Sequence, residues 1–193
     1  MLATMLAPAK AETPPRIVML GDSITAGYGL LPEAALDRLL EQALAADGIP
    51  ARVENAGVSG DTTAGGLSRI GWAVQGQPDL VIVALGGNDG LRGIDPRDTR
   101  QNLAAIIDWL QTRNIPVLLA GMLAPPNLGA GYGEAFNAIY PDLAAEKNVA
   151  LYPFLLDGVA ADPSLNQDDG IHPTAEGAAI IAGRMAKAVR PLL

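Results

Sequence analysis

A serine, a histidine and an aspartate stand in this chain at spacings that can activate a hydroxyl. Ser23 closes the stretch Ile17-Val18-Met19-Leu20-Gly21-Asp22-Ser23, in which four apolar residues run into a turn signal. His172 is the only histidine in 193 residues and the only side chain whose ordinary pKa lies near neutrality. Asp169 stands three positions before it, in Asp168-Asp169-Gly170-Ile171-His172-Pro173. One turn there can bring a carboxylate to Nδ1 while Nε2 faces a serine. A serine hydroxyl is a weak nucleophile that needs such a base, and the base needs an orienting partner. An oxyanion needs donors aimed at the developing charge. The side-chain amide of Asn88 and the backbone N–H groups of Ser23 and Gly60 can supply three. Each piece also has a plain reading. Ser23 can cap a helix, and so can His172. Asp168 and Asp169 can form a solvated turn, and Gly86-Gly87-Asn88 a turn with left-handed residues. Gly57-Val58-Ser59-Gly60 can cradle a phosphate.

The elements that must position these residues alternate regularly. A strand over 17–20 leads to Ser23. Leu36, Leu39, Leu40, Ala43 and Leu44 then follow one helix face, with Pro32 tolerated before it and Gly48 ending it. Arg52 to Ala56 reads as a second strand, and Asp61 or Thr62 caps a helix to about Gln75. Leu80 to Leu85 is an unbroken apolar strand that ends at Gly86-Gly87-Asn88. Leu103, Ile106, Ile107 and Leu110 form the next helical stripe. A strand from Val117 to Met122, a helix from Tyr132 to Lys147 and a strand from Val149 to Tyr152 follow. The last helix starts at Pro173 and carries Ile180, Ile181, Met185 and Val189. Five such alternations predict an α/β fold with a parallel sheet covered on both faces. In that sheet the loops after the strands meet at one rim, where ligands bind. Ser23, Gly60, Asn88 and the Asp169–His172 pair all follow predicted strands.

Composition narrows the class. Apolar residues make up 49% and charged residues 18%, a globular balance. The net charge of −8, without a basic run, argues against nucleic acid. There is no cysteine, so thiol catalysis and disulfides are excluded. No stretch is long and apolar enough to span a bilayer, so no integral membrane segment is expected. Residues 1–14 read as a flexible terminus, and Ala9-Lys10-Ala11 fits the cleavage pattern of an export signal. Residues 15–193 are expected to form a single domain.

Four blocks carry a family resemblance: Gly21-Asp22-Ser23-Ile24; Gly60 within Val58-Ser59-Gly60-Asp61-Thr62; Gly86-Gly87-Asn88-Asp89; and Asp169-Gly170-Ile171-His172-Pro173. In order and content the chain resembles the SGNH (GDSL) hydrolases from about Arg16 to its end. Gly90-Leu91-Arg92-Gly93 and Glu134 to Pro141 look like the subgroup of bacterial periplasmic multifunctional esterases, which act as acyl-CoA thioesterase, lysophospholipase and arylesterase. The resemblance implies a flavodoxin-like, three-layer α/β/α sandwich with strand order 2-1-3-4-5. It implies Ser23 as nucleophile, His172 as base, Asp169 as orienter, and Ser23, Gly60 and Asn88 as the oxyanion hole. It implies no metal and no cofactor. The expected partner is a small-molecule acyl ester or thioester, and the expected location the periplasm or the exterior, otherwise the cytoplasm. The oligomeric state is left open. One departure from the subgroup bears on the substrate: no Lys or Arg lies between Arg113 and Lys147, so the loop after the fourth strand has nothing to grip a coenzyme A phosphate. Arg69 and Arg92 can supply that charge from other loops. Asp22, Leu123, Leu128 and Tyr132 are the expected substrate contacts. The competing readings are a carbohydrate O-deacetylase on the same site and a non-catalytic, flavodoxin-like phosphate-binding module.

Overall fold

Five parallel strands form one sheet in the order 2-1-3-4-5. The computed structural model describes residues 13–193; the Ala9-Lys10-Ala11 pattern lies outside them. Strand β1 (Arg16–Gly21) leads into a four-residue helix α1 (Ser23–Ala26), then α2 (Leu36–Ala46) and β2 (Arg52–Gly57). Helix α3 (Thr63–Ala73), β3 (Leu80–Ala84), a short α4 (Gly87–Leu91) and α5 (Pro96–Gln111) follow. Strand β4 (Val117–Ala120), α6 (Ala130–Lys147), β5 (Ala150–Tyr152) and α7 (Ala175–Val189) complete the order.

β3 lies between β1 and β4, and all five of its residues are buried, which is why it reads as an unbroken apolar run. The helices pack in two groups, α2 on α7 and α3 beside α5 beside α6. α2 buries Leu36, Leu40 and Leu44; α7 buries Ile181, Met185 and Val189. Each stripe follows from apolar residues recurring every three or four positions.

Register sets the rim. Gly21 at the end of β1 pairs with Gly57 of β2 and Ala84 of β3. Ser23, the 58–62 loop and α4 therefore leave the sheet from one row. Sequence reasoning did not expect α4. The sequence around it is rich in glycine, but positive φ is confined to Gly86 before the helix and Gly93 after it, while Asn88 is helical. Thr62 rather than Asp61 caps α3, its hydroxyl accepting from the Gly65 N–H at 3.3 Å. The last helix starts two residues later than expected. Thr174 caps it, and Pro173 instead pairs with Asn166 in an isolated antiparallel bridge.

Candidate active site

Ser23 is the first residue of α1, not its cap. The cap is Asp22, whose carboxylate accepts the Ile24 N–H at 3.0 Å. Gly21, which begins the turn signal of the sequence, does not take a positive φ. Its role is close approach. A Cβ there would lie 2.6 Å from Thr25 Cβ, and one on Gly57 would lie 2.4 Å from the Ala26 nitrogen. The two facing glycines let α1 settle on the strand ends, which brings Ser23 to a nearly buried position.

The Ser23 Oγ stands 2.8 Å from His172 Nε2, and His172 Nδ1 stands 2.6 Å from Asp169 Oδ2. Asp169 accepts with its other oxygen from the backbone N–H groups of Ile171 (2.9 Å) and His172 (3.0 Å). The His172 N–H, the imidazole and the Ile171 N–H, in that order, hold the Asp169 carboxyl down at about 2. Asp169 thus stays ionised at neutral pH and orients the ring by one tight turn. The Tyr28 ring packs against the imidazole at 4.4 Å between centroids. The segment itself is fastened by Gln167, whose amide donates to the carbonyls of Tyr28 (2.8 Å) and Pro173 (2.9 Å). A hydroxyl, an imidazole and a carboxylate in such a series can turn the hydroxyl into a nucleophile.

The three expected oxyanion donors face the same cleft. The Asn88 amide donates to the Asp61 carbonyl at 2.9 Å, and its nitrogen lies 3.4 Å from Asp22 Oδ2. Among the described residues no protein acceptor takes the N–H of Ser23 or of Gly60. Gly60 has φ +82°, which other residues rarely adopt. Beneath the donors Asp22 is buried, and burial pushes its carboxyl up to about 6 against the Ile24 N–H and His172, which favour its charged form.

The cleft has a volume of about 450 Å³. Asp22 and Leu123 line it, as expected; Leu128 and Tyr132 do not. The Tyr132 hydroxyl donates to the Ile94 carbonyl at 2.8 Å, and its ring stacks on Phe136, so it braces the loop after α4. Leu128 lies over Gly93. The apolar walls come instead from Ile24, Tyr28, Leu91, Met122, Pro125 and, across the cleft, Leu156, Ala160 and Ile171. The far wall was missed because the segment after β5 has no periodicity to read. Leu91 had a signal, standing one helical turn past Asn88. Among the described residues no Lys or Arg lines the cleft. Arg69 is buried and fully engaged, pairing with Asp61 at 2.5 Å and donating to the Ala56 and Gly21 carbonyls.

The 57–63 loop is a poor phosphate cradle. The Asp61 N–H is spent on the Val58 carbonyl and the Thr63 N–H on Asp89, and two carboxylates crowd the site. Among the described residues no three His, Asp or Glu side chains are grouped to hold a metal ion, and no helix is long and apolar enough to cross a membrane.

Comparison with known proteins identifies the family. A profile of the GDSL-like lipase/acylhydrolase family matches residues 19–180. Thioesterase 1/protease 1/lysophospholipase L1 of Escherichia coli (strain K12) is 43% identical over 96% of this chain and 86% of its own length. Esterase TesA of Pseudomonas aeruginosa is 41% identical over 96% of this chain and 91% of its own. The crystal structure of AlinE4, an SGNH-hydrolase family esterase, superposes with a TM-score of 0.80 at 48% identity, over 95% of this chain and 99% of that one. With the family profile spanning most of the chain and these relatives spanning nearly all of it, the chain belongs to the GDSL-like lipase/acylhydrolase family and is an ester hydrolase of the SGNH type.

Proposed function

We propose that Ser23 is the nucleophile of a two-step acyl-enzyme route and that the preferred substrates are uncharged aryl or short-to-medium acyl esters. The series Ser23–His172–Asp169, at 2.8 and 2.6 Å, is the observation that supports the roles. His172 takes the Ser23 proton as Oγ attacks the carbonyl carbon, and returns it to the leaving oxygen as the ester bond breaks. Water then attacks the acyl-enzyme with His172 again as base, and Ser23 recovers its proton as the acid leaves. In both steps the negative charge falls on the substrate oxygen, within reach of Asn88 and the N–H groups of Ser23 and Gly60.

The substrate reading rests on the apolar cleft, which no Lys or Arg among the described residues lines. Hydrolysis of acyl-CoA thioesters is the second reading, favoured by likeness to a protein named a thioesterase. Matched p-nitrophenyl esters and acyl-CoA thioesters of two to sixteen carbons separate the two. The first reading expects higher kcat/KM on the p-nitrophenyl series, with an optimum below about twelve carbons, each buried methylene contributing about 0.8 kcal/mol until the cleft is full. A preference for the CoA series at every length overturns it. For the nucleophile, Ser23→Ala is expected to lower turnover by roughly 10⁶ and to abolish labelling by a serine-directed phosphonate, at unchanged thermal stability. Activity within a few-fold of the parent would sink the assignment. Export to the periplasm is proposed from Ala9-Lys10-Ala11 alone, and N-terminal sequencing of protein recovered from a bacterial periplasmic extract tests it.

A further inference from the structure

Arg92 is a cation at the edge of the cleft, and the structure gives it an occupation other than gripping substrate. Its Nη2 donates to the Gly60 carbonyl at 2.8 Å. The same short stretch of chain makes three more bonds to the same loop and the helix start that follows it. Asn88 donates to the Asp61 carbonyl at 2.9 Å, and Asp89, fully buried, accepts from the N–H and hydroxyl of Thr63 at 2.9 and 2.5 Å. Gly60, Asp61 and Thr63 are thus tied to Arg92, Asn88 and Asp89. This matters because Gly60 stands in a tight turn closed by the Asp61 N–H on the Val58 carbonyl at 3.1 Å, with its φ at +82°. At such a position a modest rotation of the backbone re-aims the N–H. Thr63 and Asp61 anchor the C-terminal side of the turn. Only Arg92 holds Gly60 itself among the hydrogen bonds of the described residues.

We propose that Arg92 is a positioning residue for the oxyanion hole: by holding the Gly60 carbonyl against the helix that carries Asn88, it fixes the Gly60 N–H and the Asn88 amide relative to each other. The inference rests on the Ser23 acyl-enzyme reading above. An exposed guanidinium bonded to a main-chain carbonyl contributes little to overall stability, so its loss is readable in the reaction and not only in folding.

The test compares the parent, Arg92→Ala, Arg92→Lys and Ser23→Ala on p-nitrophenyl butyrate and butyryl-CoA, with the rate of inactivation by a neutral serine-directed phosphonate. Removing an oxyanion donor outright costs roughly 10²–10³ in rate, so loosening one is expected to lower kcat about ten-fold. The loss in Arg92→Ala should be equal on both substrates, with KM within about two-fold, since the hole acts on charge present mainly in the transition state. Phosphonate inactivation, in which negative charge develops on the phosphoryl oxygen against the same donors, should slow in parallel, and Arg92→Lys, which keeps a donor, should recover most of both rates. A rise in KM confined to butyryl-CoA, with kcat unchanged, would make Arg92 a contact for substrate phosphate and overturn the proposal. Parent-like kinetics on both substrates, or an equal defect in the lysine variant, also overturns it. Ser23→Ala keeps the two readings apart. If it remains active, the acyl-enzyme reading fails; if it is inactive while Arg92→Ala behaves as the parent, only the present inference fails.

Discussion

The two halves of the site are held in different ways. Ser23, Gly60 and Asn88 leave the ends of β1, β2 and β3, which are paired in register and packed on both faces. Asp169 and His172 stand in a segment of 22 residues between β5 and α7 that contains no helix or strand of its own. Paired strands fix the first half; the second is anchored by buried Leu155, Val159 and Leu165 and held in shape by individual hydrogen bonds, most of them local, with that of Gln167 to the Tyr28 carbonyl reaching across the chain. The carboxylates differ accordingly. Asp22, under the strand ends, is forced toward its neutral form by burial, whereas Asp169, its side chain 39% exposed, is held charged by three donors. A hydroxyl embedded in the fold, as the proposed nucleophile is, needs only a correct backbone. An imidazole on an irregular segment, as the proposed base is, needs each of its bonds.

The strongest way to break this comparison is at Asp169. Asp169→Asn removes the charge that orients His172, and turnover is expected to fall about 10⁴-fold, as for orienting carboxylates of this type. Asp168→Asn should stay within a few-fold of the parent, because no side-chain bond of Asp168 braces the imidazole. Equal defects in steady-state kcat would contradict the view that one specific turn holds the base. On the other half, Asn88→Ala should lower kcat by roughly 10²–10³ with KM little changed. A rise in KM alone would make Asn88 a ground-state contact.

The smallest effect sharpens the comparison through stability. Asp22 ionises near the ordinary aspartate value in the unfolded chain and only near 6 in the folded one. Between those values the folded state holds the extra proton, so the contribution of Asp22 is fully present below about pH 4 and is lost as pH rises through 6. The change is on the order of 2–3 kcal/mol. Asp169, with its lowered value, works in the opposite direction, and its contribution is lost as pH falls from about 4 toward 2. Thermal unfolding of the parent and Asp22→Asn between pH 4 and 7 should show the decline in the parent and a flatter profile in the variant. Parallel profiles would mean that Asp22 is not the buried acid responsible.

The same contrast explains what the amino-acid sequence made legible. Buried parallel strands are continuous apolar runs, so β1 and β3 could be read to within a residue, and with them the rim on which Ser23, Gly60 and Asn88 stand. Asp169 and His172 could be paired because their bond is local. Tertiary approach was not readable. Gly21 looks like a turn residue, and its real constraint, Thr25 pressed against it, is set by the helix that follows. Leu128 and Tyr132 look like cleft residues because their loop follows β4, but the Tyr132 hydroxyl is drawn to the Ile94 carbonyl. Leu156, Ala160 and Ile171 face the cleft from a segment whose shape depends on side-chain bonds such as those of Asn166 to the Val159 and Asp162 carbonyls, and such bonds leave no periodic trace.

The packing of Tyr28 against His172 has a practical consequence. The chain holds one histidine, so its imidazole protons give a single pair of resonances in a magnetic resonance spectrum, and the neighbouring aromatic ring displaces them from free-solution positions. Anything that acylates Ser23, occupies the cleft or turns Tyr28 aside must move that pair. With no cysteine in the chain, one introduced thiol can carry a probe to any chosen point on the rim. The proposed base is thus its own reporter, readable without labelling, while a second signal follows the far wall of the cleft in the same sample.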